Sequence, residues 1–188
     1  MSKYKILVLG DSHVGKSAII VQLVMKEFPK QYEPTIIDTY TINYPTEQEI
    51  IKLEIIDTGG NENYISLVDE YIESAHGFML VYSTIRKNTF KSIEEHYNKI
   101  VQIKGNKDFQ VIIIGTKNDL PGRQVPVVKA VQLAQKIGCS SVETSPKKLS
   151  TIDDAYSLLV SEIYRNNPIE VMPEATETTE TTETTETT

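Results

Sequence analysis

One short stretch of the chain has the residue types and the spacing that bind phosphate. It follows the pattern G-x-x-x-x-G-K-S, in which backbone N–H groups of a tight loop and of the next helix converge on phosphate oxygens. Lys16 adds a cation, and the Ser17 hydroxyl can bind Mg²⁺. The residues are Gly10, Asp11, Ser12, His13, Val14, Gly15, Lys16 and Ser17, followed by Ala18. The alternative is a chance glycine-rich turn, but the apolar runs 6–9 and 18–24 on either side favour a strand, a phosphate loop and a helix.

The pattern of apolar residues predicts strands that alternate with helices. Strands are expected at 3–9, 38–44, 49–57, 77–82, 111–115 and 140–143, and helices at 16–26, 62–74, 87–104, 126–137 and 151–165. The runs 38–44 and 49–57 flank a reverse turn at 45–48 and should pair antiparallel. This alternation indicates an α/β fold, with a mostly parallel sheet, helices on both faces and the hairpin at one edge.

Ligands of such sheets bind beyond the carboxyl ends of the strands. The loops at 10–17, 57–61, 115–119 and 144–147 should therefore meet at one rim. Residues 28–37 are polar and contain Pro34, so we expect an exposed loop there. His76 and His96 lie in no motif and are expected to be structural.

Composition limits the classes of function. The 188 residues carry a net charge of −7, and five glutamates of the last fifteen residues supply most of it. With no basic stripe, nucleic-acid binding has little electrostatic support. The single Cys139 excludes an internal disulfide framework. The start of the chain shows no secretory signal and no apolar run spans a membrane, so we expect a cytoplasmic protein.

The end of the chain differs from the rest. Periodic patterning stops after Pro168, and repeated Glu-Thr-Thr units follow Glu174. Such a segment cannot offset the entropy lost on ordering. We therefore expect a folded domain at 1–168 and an acidic, disordered tail at 169–188.

Five motifs together resemble those of the Ras-like small GTPases, nearest to the Ras and Rap branch, over residues 3 to about 167. Besides the phosphate loop they are Tyr32-Glu33-Pro34-Thr35-Ile36, Asp57-Thr58-Gly59-Gly60, Thr116-Lys117-Asn118-Asp119 and Thr144-Ser145-Pro146-Lys147. The resemblance implies the three-layer fold of phosphate-loop NTPases, known as a small G domain. Its sheet would have six strands, with one antiparallel edge strand and about five helices.

The resemblance also implies which residues bind a guanine nucleotide. The Asp119 carboxylate would accept two hydrogen bonds from guanine, while Lys117 and Phe28 would cover the two sides of the base. Ser17 and Thr35 would bind Mg²⁺ directly and Asp57 through water. The remaining nucleotide contacts implied beyond the phosphate loop are those of Tyr32, Gly60, Thr116, Ser145, Pro146 and Lys147.

Catalysis and partner binding are implied on two mobile loops that the γ-phosphate orders. Gly60 would bind the γ-phosphate through its N–H, and Asn61 stands where the family has the glutamine that orients the attacking water. Lys16 and Thr35 would complete the catalytic set. The effector region would comprise Tyr32, Glu33, Pro34, Thr35, Ile36, Ile37, Asp38, Thr39 and Tyr40.

Several departures from the family pattern bear on rate. Asn61 has a shorter stem than glutamine, and Gly59 replaces an alanine, so hydrolysis should be slow. Ser12 and His13 replace glycines. His13 can titrate near the phosphates, but a solvent-facing side chain is the simpler interpretation.

Two further departures concern the base and the loop that supports it. Pro146 has no N–H to bond the base, which should weaken binding by about 1–3 kcal/mol. Thr116 replaces an asparagine of the family pattern and should remove a side-chain contact. Ile37, where Ras has an acid, suggests a changed set of effectors.

These residues suggest a guanine-nucleotide switch that binds GTP and GDP with Mg²⁺ and hydrolyses GTP slowly. The alternative is an adaptor of the same fold with negligible hydrolysis. A phosphate-loop kinase of small molecules is a weaker candidate, because only residues 10–17 of this chain match the pattern of such kinases. We expect a monomer with effector, exchange-factor and GTPase-activating partners. We expect no lipid anchor and no membrane association except through a partner.

Overall fold

The structure, a computed structural model, describes residues 2–26, 37–46, 49–59, 65–145 and 147–166. In these ranges the strands are β1 (Lys3–Leu9), β2 (Ile37–Pro45), β3 (Ile50–Thr58), β4 (Gly77–Ser83), β5 (Gln110–Thr116) and β6 (Ser140–Glu143). The helices of the same ranges are α1 (Lys16–Met25), α2 (Ile65–Ser74), α3 (Lys87–Lys104), α4 (Val127–Ile137) and α5 (Leu149–Asn166). Each predicted element is present, with small shifts at its ends. Ile37, for example, opens β2 instead of closing the preceding loop.

The strands of the described residues form one sheet in the order β2-β3-β1-β4-β5-β6. β1 pairs in parallel with both β3 and β4, and the pairs β4–β5 and β5–β6 are also parallel. β2 pairs antiparallel with β3, from Ile37 opposite Thr58 to Pro45 opposite Ile50. The expected fold, a mostly parallel six-stranded sheet with one antiparallel edge strand, is confirmed.

Helices cover both faces of the sheet because neighbouring strand residues point to opposite sides. Ile6 and Val8 pack in a core with residues of α1 and α5. Leu7 and Leu9 pack in a second core with residues of α2, α3 and α4. Every residue of β4, in the middle of the sheet, is buried. The three layers leave the ends of the strands as the surface where ligands can reach backbone groups.

The parallel strands end at the same rim. β1 gives way to the phosphate loop at Gly10, β3 to the segment beginning at Gly59, and β5 to Lys117. The pairing of Val8 with Asp57 and of Ser83 with Thr116 aligns these strand ends. The predicted convergence of the loops is therefore built into the register of the sheet. Every helix in the described ranges falls short of the length and apolarity that crossing a membrane requires.

Candidate functional site

The phosphate loop follows the central strand and is shaped by a close backbone contact. Gly10 has φ of +149°, and a Cβ added there would lie 2.2 Å from the Val81 carbonyl oxygen of β4. Only glycine fits this position without moving backbone. Gly15, before α1, has no side chain that could cap the helix, so first-turn N–H groups can serve an anion.

Lys16 is the central cation of the loop. It is 5% exposed, and its ammonium donates hydrogen bonds to the carbonyl oxygens of Gly10 and Asp11, both at 2.9 Å. Burial lowers the pKa of Lys16 to about 8, although the charges of Asp57 and Asp11 oppose the shift. A buried cation among carbonyl oxygens is well prepared to meet phosphate oxygens, which would restore its counter-charge.

Asp57 lies beside the loop at the end of β3 and is fully buried. The register pairs it with Val8 of β1, and the adjacent Thr58 donates a 2.8 Å hydrogen bond to the Val8 carbonyl oxygen. A carboxylate here and the Ser17 hydroxyl in the first turn of α1 are oxygen donors of the kind that Mg²⁺ prefers. The described residues therefore fit a Mg²⁺ ion bound through hydroxyl, carboxylate and water oxygens.

The other half of the rim carries the residues expected to read the base. Lys117 has φ of +61°, and its ammonium donates a 2.6 Å hydrogen bond to the His13 carbonyl oxygen. Asp119 pairs with Lys147 at 2.8 Å. The hydrogen bond from Lys147 lowers the pKa of Asp119, and Ser145 contributes in the same direction. These contacts join the two loops that are expected to read the base to each other and to the phosphate loop.

Thr116 corrects one expectation. Its hydroxyl lies within hydrogen-bonding distance of the Val14 carbonyl oxygen in the phosphate loop and of the Tyr82 carbonyl oxygen. The prediction that threonine would remove a side-chain contact is wrong, because the fully buried Thr116 hydroxyl itself contacts the phosphate loop. The side chain of His13, by contrast, is exposed, as predicted.

Sequence reasoning missed the contacts that α3 makes with the phosphate loop. Arg86 donates a 2.9 Å hydrogen bond to the Ser12 carbonyl oxygen. Ser92 donates a 3.0 Å hydrogen bond to the Asp11 carboxylate, and His96 Nε2 lies 3.6 Å from its other oxygen. His96, expected to be only structural, thus adjoins the site. The four-residue spacing of Ser92 and His96, which puts both on one helix face, was the available signal.

The remaining predicted residues divide into two groups. Ile37, Asp38, Thr39 and Tyr40 open the edge strand β2, where Asp38 and Thr39 are exposed. The predicted site residues that lie outside the described ranges are Phe28, Tyr32, Glu33, Pro34, Thr35, Ile36, Gly60, Asn61 and Pro146. His76 agrees with its expected structural role, since its Nδ1 accepts a 3.0 Å hydrogen bond from the Lys5 N–H.

Comparisons with known proteins agree with this geometry. The family model described as "Ras family" matches residues 5–165. The chain is also similar to "Ras-like protein rasC" of Dictyostelium discoideum, with 38% identity over 170 residues. That alignment covers 89% of this chain and 90% of the relative. The phosphate loop, the buried Asp57 and the base-reading loops all lie within the matched region, and the chain belongs to the Ras family of small GTPases.

Proposed function

We propose that this chain is a Mg²⁺-dependent guanine-nucleotide switch that binds GTP and GDP and hydrolyses GTP to GDP and phosphate slowly. One observation carries the proposal. The buried Lys16 and Asp57 interact at the rim where the phosphate loop begins, and Lys117 links that loop to the loop that contains Asp119. A phosphate-binding half and a base-binding half are thereby joined in one continuous site.

The residues of this site divide the work of binding the nucleotide. First-turn N–H groups of α1 and the Lys16 ammonium bind the phosphates, while Asp119 accepts hydrogen bonds from the base. Lys117 covers the base, and Ser17, Thr35 and Asp57 hold the metal. A bound Mg²⁺ neutralises charge on the phosphates. Gly60 donates to the γ-phosphate through its backbone.

Asn61 sets the expected rate of hydrolysis. Its amide can hydrogen-bond the attacking water, but its stem is one methylene shorter than that of the glutamine used elsewhere in the family. The alternative function, a GTP-binding adaptor with negligible hydrolysis, uses the same residues. In both cases residues 32–40 form the surface that an effector would contact. Asp38 and Thr39 at the start of β2 are exposed and can contribute to such a contact.

The test begins with the nucleotide that copurifies with the full chain. We expect GDP or GTP, and an adenine nucleotide or none would contradict the proposal. Single-turnover phosphate release is then measured with Mg²⁺ and with EDTA for the native chain and for Asn61→Gln. Slow, Mg²⁺-dependent release that accelerates in Asn61→Gln supports the switch. Release indistinguishable from that of free GTP favours the adaptor.

A second measurement concerns Pro146, which cannot donate a backbone N–H to the base. GDP dissociation should slow in Pro146→Ala by about fivefold or more, because a hydrogen bond to a buried acceptor is regained. Pro126→Ala is the matched control, since Pro126 precedes α4 and lies outside the proposed site. An unchanged dissociation rate in Pro146→Ala would show that the missing N–H does not weaken nucleotide binding.

A further inference from the structure

The carboxylate of Asp11 is turned towards α3. One oxygen accepts the 3.0 Å hydrogen bond from Ser92, and the other lies 3.6 Å from His96 Nε2. The backbone carbonyl of the same residue accepts a hydrogen bond from Lys16 at 2.9 Å. Asp11 therefore connects the helix, through its side chain, to the phosphate-binding lysine, through its backbone.

An acidic residue inside a phosphate loop creates an electrostatic problem. A carboxylate facing the phosphates would repel them, and the repulsion is strong where water is partly excluded. The Asp11 and His96 side chains are 28% and 29% exposed, so solvent screens this charge only in part. Ser92 donates a hydrogen bond to the carboxylate and His96 lies close to it, so the carboxylate is held towards α3 and the phosphates meet less of its charge.

We infer that Ser92 and His96 are positioning residues, which act through Asp11 to hold the phosphate loop in its nucleotide-binding conformation. The inference rests on the proposed function. Arg86, at the start of α3, strengthens the same connection through its hydrogen bond to the Ser12 carbonyl oxygen. Loss of the Asp11 contact frees the first half of the loop, and its N–H groups then spend less time in the geometry that retains phosphates.

His96 adds a dependence on pH. Asp11 and Lys16 of the loop and Glu95 of α3 are the charged groups that act on its ring, while Asp69 of α2 pairs with Lys99 one turn further along α3. Burial lowers the pKa of His96, and the Asp11 carboxylate opposes that shift. The ring is thus neutral at neutral pH. Protonation in mild acid gives a charged donor to Asp11 and should tighten the connection.

Ser92 is tested through the rate of GDP dissociation from the full chain. Ser92→Ala should accelerate dissociation about fivefold, the effect of losing a hydrogen bond of typical net strength, because the Asp11 carboxylate is partly exposed. Ser92→Thr keeps the hydroxyl and should restore the native rate. Ser161→Ala is the matched control, because this serine on α5 donates to the Ser157 carbonyl oxygen of its own helix and should leave the rate unchanged.

A double-mutant cycle separates this connection from a general loss of packing. In an Asp11→Ala background, Ser92→Ala should cause no further acceleration, since its partner is already gone. Melting curves in GDP verify that each variant is folded. An unchanged rate in Ser92→Ala, or the same acceleration with and without Asp11, would overturn the inference.

His96 is tested by the pH dependence of the same rate. As the pH falls below the ordinary pKa of a histidine, GDP dissociation from the native chain should slow relative to His96→Gln, which has no titrating group at this position. His76→Gln removes another partly buried histidine and should keep the native profile. Parallel profiles for the native chain and His96→Gln would overturn the role of His96. A native chain that binds no guanine nucleotide would instead overturn the proposed function, and this inference with it.

Discussion

The phosphate half and the base half of the rim are built in different ways. In the phosphate half, Lys16 and Asp57 are buried, and the contact of Gly10 with Val81 fixes the backbone. In the base half, Asp119 is held by Lys147, whose side chain is 64% exposed. The charged pair of the phosphate half is part of the packed sheet, whereas the charged pair of the base half lies at the surface.

This difference determines how each half should respond to change. The geometry of the phosphate half is fixed by the same contacts that hold the sheet together, so its substitutions act on folding as well as on binding. The base half can exchange one hydrogen-bond partner for another at low cost, because exposed ion pairs contribute little to stability. Its substitutions should therefore act mainly on nucleotide affinity.

The largest effect on folding is expected from Gly10→Ala. The added methyl group would lie 2.2 Å from the Val81 carbonyl oxygen in a backbone conformation with φ of +149°. We expect a loss of about 4 kcal/mol in the free energy of unfolding, from steric overlap and backbone strain together. Urea denaturation monitored by circular dichroism measures it.

The matched control for this change is Gly138→Ala. Gly138 also has a positive φ, +82°, but nothing lies within 4 Å of an added Cβ. Its cost should be that of the backbone conformation alone, about 1 kcal/mol. Equal losses in the two variants would show that the contact with β4 does not fix the phosphate loop.

Asp119→Ala should give the largest effect on binding in the base half. Two hydrogen bonds from guanine to a carboxylate are lost, so GDP affinity should fall on the order of 100-fold while ADP affinity stays unchanged. Fluorescence titration of both nucleotides measures the discrimination. Asp108→Ala, at an exposed acid between α3 and β5, should change neither affinity, and an equal fall for ADP in Asp119→Ala would contradict base reading.

Residue roles and long-range contacts are predictable from the sequence to different extents. Residue type and spacing predict the roles of Gly10 and Lys16, and the apolar run of β1 leads directly into them. The mostly parallel sheet follows from the alternation of strands and helices, since parallel strands need crossover helices. For this part of the site, local sequence is sufficient.

Contacts between distant parts of the chain could not be predicted in the same way. The Thr116 hydroxyl reaches Val14 only because β5 and the phosphate loop meet at the rim. The family pattern, with asparagine at this position, instead led us to expect the loss of a side-chain contact. Ser92 and His96 reach Asp11 across about eighty residues of sequence. Their helical spacing was visible, but not the element that they would face.

Thr116→Val tests how firmly the base-reading strand is fixed to the phosphate loop. The substitution keeps the shape of a fully buried side chain but removes its donor, leaving the Val14 carbonyl oxygen without this hydrogen bond. We expect a loss of about 2 kcal/mol in the free energy of unfolding. Thr116→Ser, which keeps the hydroxyl, should recover most of it. No loss in Thr116→Val would show that this hydrogen bond does not fix the two halves to each other.

The smallest effect is expected from Lys147→Ala, which removes the partner of Asp119. Because Lys147 lowers the pKa of Asp119, the pair stabilises the folded chain above the unfolded pKa of the acid, and this contribution is lost as the pH falls through the folded pKa. The lysine is mostly exposed, so solvent screening limits the loss at pH 7 to about 0.5 kcal/mol or less. Urea denaturation should show that loss at pH 7, and the loss should shrink as the pH falls below the ordinary pKa of an aspartate. Lys107→Ala, which removes an exposed ion pair with Glu73, should cost a similarly small amount. A loss of 2 kcal/mol or more would show that the base half is as firmly built into the fold as the phosphate half.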